Sequence, residues 1–152
     1  HDFMLGAADW CRPDWTSTFY PEGMPDEWRP AYYGTRFSCV WLPRAAWCEA
    51  SAALVAQWLD DVRADFRFLL EAGPGAPDPA RLALFGERLG AYCRPDHPDL
   101  LWFDAGVDLG DLVAELGRRT GQGGTTYLLS RDGDLATLEK VDTLLGILGG
   151  RS

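Results

Sequence analysis

Apolar residues along this chain fall in short blocks separated by polar, glycine-rich and proline-rich stretches, and the blocks alternate in period. Phe3 to Ala8 is a continuous apolar run, the pattern of a strand buried on both faces. Phe37 to Leu42, stopped by Pro43, repeats it, as do Phe66 to Leu70, Leu100 to Asp104 and Thr125 to Ser130. Between these runs the spacing changes to that of a helix. Ser51 to Val62 is the clearest case: Leu54, Val55, Trp58, Leu59 and Val62 follow the i, i+3, i+4, i+7 pattern, and Ser51 supplies an N-cap. A helix is also predicted over Asp26 to Arg36, with Asp26 as N-cap, Trp28, Ala31 and Tyr32 near one face, and Pro30 in the first turn. Three more are predicted: Pro79 to Leu89, closed by Gly90; Asp108 to Arg119, with arginines in its last turn; and Asp134 to Leu148, ending at Gly149.

The connections carry their own signals. Asp9 to Pro25 is long and aromatic, and reads as an ordered loop because its rings need a surface to pack on. Gly73 to Pro79 and Arg94 to Asp99 are turn-rich. Gly121 to Gly124 precedes a strand, whereas a phosphate cradle precedes a helix, so it reads as a flexible loop. Strand and helix alternate five times. That order predicts an α/β fold, a parallel sheet of about five βα units joined by right-handed crossovers. Neither side of the Gly73 to Pro79 loop closes a core alone, so residues 1–152 are read as one domain.

Composition narrows the function classes. The chain has 152 residues, 47% hydrophobic and 12% aromatic with seven Trp, enough for a sizeable core. Its net charge is -9, so binding to a phosphate backbone or a polybasic membrane attachment is disfavoured. No apolar run approaches the ~20 residues needed to span a bilayer. The four cysteines (Cys11, Cys39, Cys48, Cys93) form no C-x-x-C pair, and His1 and His97 stand at no ligand spacing to them, which argues against structural zinc. Free thiols and a cytoplasmic location are expected, with no leader visible. Lys140, the only lysine, lies in an acidic helical context that does not suit a Schiff-base amine.

The N-terminal half carries a family likeness. Gly6-Ala7-Ala8-Asp9-Trp10, then Trp15, then Phe19-Tyr20-Pro21-Glu22-Gly23, resembles the opening of the YecE-like family, a domain family of unknown function that begins with a strand ending G-T-S-G-W and continues through F-Y-P-x-G. The likeness runs on through Trp28, Tyr32-Tyr33, Phe37, Trp58 and Asp65-Phe66-Arg67-Phe68 and weakens beyond residue 72. Leu84 to Gly90 is similar to the family's L-G-x-x-L-G segment, and Thr126 to Ser130 with the last helix to its final strand and helix. The resemblance implies a TIM-barrel-like fold. Because eight βα units need ~200 residues or more, it implies a truncated form, a half or distorted barrel. Exposed sheet edges in such a form lead to the expectation of a homodimer. The sequence departs from the family where T-V-E-I-N-x-T-F-Y is replaced by Cys39-Val40-Trp41-Leu42-Pro43-Arg44-Ala45-Ala46-Trp47, and K-A by Glu71-Ala72. The family's Q-L-P-P and E-x-R-H segments have no counterpart.

In βα folds the functional face lies at the C-terminal strand ends. The candidate pocket there comprises Asp9, Trp10, Trp15, Trp41, Arg44, Glu71, Asp104 and Arg131. Asp9, Glu71, Asp104 and Asp132 are weak metal candidates, since converging carboxylates suit Mg²⁺ or Mn²⁺ and metal-assisted hydrolysis. Asp132-Gly133-Asp134 matches only part of a calcium loop and reads better as a turn and helix cap. Cys11 is the thiol nearest that face, and adjacent Arg12 is expected to lower its pKa slightly. A Ser130–His97 pair has no sequence support beyond the presence of both residues. No cofactor is implied. Two readings follow. The favoured one is a non-catalytic binding or interaction protein using Trp10, Trp15, Trp41 and Trp47 on a degenerate barrel-like scaffold, because three polar or charged family positions (Trp41, Pro43, Glu71) have changed character together. The alternative is a metal-assisted small-molecule hydrolase or lyase.

Overall fold

Six parallel strands in the order β4-β3-β2-β1-β6-β5 form the centre of the molecule, whose computed structural model describes residues 1–148. The strands are β1 (Asp2–Ala8), β2 (Cys39–Leu42), β3 (Arg67–Glu71), β4 (Leu89–Cys93), β5 (Leu100–Phe103) and β6 (Thr125–Ser130). The helices are α1 (Arg29–Gly34), α2 (Arg44–Cys48), α3 (Ala52–Asp61), α4 (Pro79–Ala83), α5 (Leu109–Thr120) and α6 (Leu135–Leu148). The strand order is that of a βα barrel opened between β4 and β5, where the connecting residues 94–99 form no helix.

Period-2 alternation sorts the strand residues onto two faces. Phe3, Leu5, Ala7, Val40, Leu42, Phe68, Leu70, Phe103 and Leu128 face the helices and join the larger core. Met4, Cys39, Trp41, Leu69, Leu100, Tyr127 and Leu129 form a second cluster on the concave side, with Ala91, Cys93 and Trp102 packed against it. The sheet is strongly curled. In a flat sheet β2 and β5 would lie ~14 Å apart, three strand spacings. Yet Trp41 and Trp102 meet edge to face with ring centroids 5.4 Å apart. Likewise β6 reaches β4: a Cβ on Gly90 would come within 3.0 Å of the Tyr127 hydroxyl, so a larger residue there would crowd the interior. The result is a half-barrel with its own small interior.

The β1–β2 seam is reinforced from outside by Tyr33 on α1. Its hydroxyl accepts from the Ala7 N–H at 2.8 Å and donates to the Cys39 carbonyl at 2.6 Å, so it stands in the ladder as a bridging group. Gly6 is required beside it, because a Cβ there would overlap the Cys39 carbonyl oxygen and lie 2.9 Å from the Tyr33 hydroxyl. Helix caps follow the sequence: Ser51 accepts from Leu54 N–H, Asp108 from Asp111 N–H and Asp134 from Thr137 N–H.

Several expectations are corrected. β4 is a sixth strand where a helix end is predicted. The helix from Pro79 stops at Ala83, a 3₁₀ turn follows at Gly86–Arg88, and Gly86 at φ 55 makes the break instead of Gly90. The helix expected over Asp26 to Arg36 divides into a 3₁₀ turn at Asp26–Trp28 and α1, because Pro30 is tolerated only in a first turn. Asp26 makes no side-chain cap, and Trp28 is 61% exposed instead of packed. Short α2 has no counterpart in the sequence reading. Leu54 on α3 is exposed, while Val55 and Trp58 carry the buried face. The end of the last helix at Gly149 lies outside the described residues.

Candidate functional site

The C-terminal strand ends open into a cavity of about 510 Å³ lined by Ala8, Trp41, Pro95, Asp96, Trp102 and Arg131. Its walls come from β1, β2, β5, the residue after β6 and the loop that crosses from β4 to β5. Trp41 and Trp102 occupy equivalent concave-face positions near the ends of their strands. Their rings are nearly perpendicular, at 81°, with Trp41 buried and Trp102 half-buried. Trp102 is fixed in orientation because its Nε1–H donates to the Pro95 carbonyl at 2.8 Å. The Arg131 guanidinium lies over the Trp102 ring, 5.4 Å from its centroid. Its backbone N–H continues the β5–β6 ladder by donating to the Phe103 carbonyl.

Of the eight candidate pocket residues, Trp41 and Arg131 line this cavity. Asp9 immediately follows lining residue Ala8. It takes φ 66, in the left-handed region that disfavours side chains, and its carboxylate accepts from the Cys11 N–H. That conformation turns the chain off the strand end and toward the helix side. Trp10 and Trp15 therefore go into the helix-side core, each 1% exposed, and do not reach the mouth. Trp10 packs against Tyr33, Trp58, Phe66 and Phe68. Trp15 donates its indole N–H to the Gly133 carbonyl. Trp47 is also buried, with its indole N–H on the Glu71 carbonyl.

The carboxylates named as metal candidates are engaged separately. Glu71 accepts from the Arg44 backbone N–H at 2.9 Å, which ties α2 to β3, and the Arg44 side chain lies against Gly73. Asp104 accepts from Gly106 N–H. Asp132 accepts from Ala105 N–H and Asp134 N–H, joining the β5 and β6 loops. Desolvation works against ionisation of Asp132, but these backbone donors and the Ser130 hydroxyl outweigh it and hold its carboxyl below the usual range. Among the described residues no group of three or more His, Cys, Asp or Glu side chains could hold a metal ion.

Ser130 and His97 are each bound locally. The Ser130 hydroxyl accepts from Gly133 N–H, and His97 Nδ1 accepts from Asp99 N–H. All four cysteines are unpaired. Cys11 corrects an expectation: desolvation and the Asp9 carboxylate push its thiol up, not down. Arg12 does not act on it, because its guanidinium donates to the Ala8 and Asp132 carbonyls and so clamps the ends of β1 and β6. The sequence reading missed Trp102, Asp96 and Pro95. Trp102 was detectable, since it shares its strand face with Leu100 and stands at the strand end as Trp41 does.

Among the described residues no helix is long and apolar enough to cross a membrane. None of the curated proteins compared with the chain matches it. The crystal structure of a DUF72 family protein from Thermotoga maritima superposes with a TM-score of 0.59 over 95% of this chain and 99% of that one, at 14% identity, which is a likeness of fold alone. The family model described as "Protein of unknown function DUF72" matches residues 4–84, more than half the sequence. That stretch contains the Tyr33 bridge, the glycine it requires, most of β1 and all of β2 and β3; the chain belongs to the DUF72 family, the YecE-like proteins.

Proposed function

We propose that this protein is a non-catalytic binding protein that takes a small, largely apolar molecule into the mouth of its half-barrel. The observation that carries the reading is the pairing of Trp41 and Trp102 across the concave face, beneath Arg131. Pockets for small molecules are mostly apolar and aromatic, with a few placed polar groups, and fall within ~300–1,000 Å³. The mouth has that make-up and that size. The four carboxylates named as metal candidates instead accept from backbone N–H groups, Asp9 and Asp104 within their own loops and Glu71 and Asp132 from neighbouring segments. That arrangement supports a scaffold role for them.

The test is titration of ¹⁵N-labelled protein with a neutral planar probe, naphthalene-2-carboxamide, followed by the indole N–H resonances of the seven tryptophans. The reading expects saturable shifts of the Trp41 and Trp102 signals, lost in Trp102→Ala. Shifts confined to other tryptophans, or none up to the probe's solubility limit, would refute it.

A further inference from the structure

We infer that the ligand class of this mouth is a planar aromatic monocarboxylate, its ring set against Trp41 and Trp102 and its carboxylate on Arg131. The inference rests on the binding reading above and adds the charge and shape of the ligand.

Three observations combine. First, the two indoles meet edge to face at 5.4 Å and 81° and make an apolar corner, its floor the buried Trp41 and its accessible ring the half-buried Trp102, against which a flat ring can be set. Second, the guanidinium of Arg131 lies over Trp102, its carbon 5.4 Å from the ring centroid. A guanidinium offers a planar fork of N–H donors, and that fork matches the two oxygens of a carboxylate. Among the described residues no carboxylate lies within ion-pair distance of it. The loops around it carry acidic residues, but Asp132 is turned to Ala105 and Asp134 N–H groups. Third, one guanidinium compensates one negative charge on a ligand. Among the described residues Arg131 is the one cationic residue lining the cavity, Asp96 lines it too, and the whole chain carries -9. A dianion such as a phosphate monoester would face Asp96 and that field with its second charge uncompensated.

Asp96 has a second consequence. Its position in the wall disfavours an acidic group on the far side of the ring, so the carboxylate has one productive orientation, toward β6. The loop that carries Asp96 is anchored by the Trp102–Pro95 hydrogen bond, and by the Pro98 carbonyl accepting from Arg119, so this wall is part of the folded framework.

The experiment compares three probes of one shape: 2-naphthoate, naphthalene-2-carboxamide and protonated 2-naphthylmethylamine, each titrated into the ¹⁵N-labelled chain. The expected result is that naphthoate binds at least about tenfold tighter than the amide, as one charge-assisted bidentate pair implies. In Arg131→Gln that preference should fall to within about twofold, with amide affinity retained, because the substitution removes the charge and leaves the indole corner. Arg131→Lys should recover only part of it. Equal binding of naphthoate and amide by the native chain, or tightest binding of the amine, would overturn the ligand class while leaving the binding reading in place. Failure of all three probes to move the Trp41 and Trp102 signals would instead overturn the binding reading on which the inference stands.

Discussion

Replacing Tyr33 with Phe removes one oxygen atom and, with it, the bridge between β1 and β2. The hydroxyl is fully buried and makes two hydrogen bonds, accepting from Ala7 N–H and donating to the Cys39 carbonyl. Burial pushes its pKa far above the ordinary tyrosine value, so it stays a neutral donor. The phenyl ring would keep its contacts with Trp10, Trp15, Phe37 and Phe66, so the change opens almost no cavity. What remains is one buried N–H and one buried C=O without the partner they had. Each such group costs about 1–3 kcal/mol, so the loss is about 2–4 kcal/mol after partial relaxation. Against a total stability of ~5–15 kcal/mol that is a large fraction. Equilibrium urea unfolding, followed by both circular dichroism and tryptophan fluorescence, measures it, and the denaturant slope should stay constant while the midpoint falls. A loss below ~0.5 kcal/mol would refute the reasoning, since it would mean the strand pair supplies its own bonds without the phenol.

Other substitutions and titrations test separate parts of the account. Trp10→Ala deletes the ring at the centre of the helix-side aromatic cluster and should cost about 3–5 kcal/mol by urea unfolding; a near-neutral result would place Trp10 at the surface. Asp132 has a folded-state pKa below its ordinary value, so its stabilisation is present above about pH 4 and is lost as pH falls through the lowered pKa. Asp132→Asn should therefore flatten the dependence of Tm on pH below about 4, and an unchanged acid limb would contradict this. Millimolar Mg²⁺, Mn²⁺ or Zn²⁺ should leave Tm unchanged, because Asp9, Glu71, Asp104 and Asp132 each accept from backbone N–H groups and, among the described residues, no three such side chains converge; a micromolar metal site would add ~4 kcal/mol and favour metal-assisted hydrolysis instead. The homodimer expected from the open β4 and β5 edges predicts a light-scattering mass of twice 16.8 kDa at micromolar concentration, and the mass of one chain would refute it.

What the sequence reveals divides along physical lines. Strands β1, β2, β3, β5 and β6 are apolar runs whose burial is written locally, and Ser51, Asp108 and Asp134 cap helices through bonds three residues long. β4 is different. Every residue of Leu89–Cys93 is only half-buried, it lies at a sheet edge, and its Gly90 serves a contact with Tyr127 some 37 positions later, which local periodicity cannot register. The site divides the same way. Trp41 and Arg131 were readable as strand-end residues. Trp10 and Trp15 were misplaced because a single residue, Asp9 at φ 66, turns the chain away from the mouth. A signal for that conformation was present: Asp9 stands where the family motif G-T-S-G-W has glycine, and aspartate is among the few side chains that tolerate the left-handed region. Trp102 acquires its meaning from the curl of the sheet, which sets it against Trp41 across three strand spacings.

The central claim is that ligand enters at the mouth and not at another groove of the surface. A crystal structure of the chain soaked with 2-naphthoate tests it most directly. The account predicts density for the ring against the corner of Trp41 and Trp102, with the carboxylate on Arg131. Density at another surface groove, such as the one lined by Leu109, Leu144 and Ile147, with an empty mouth, would contradict it.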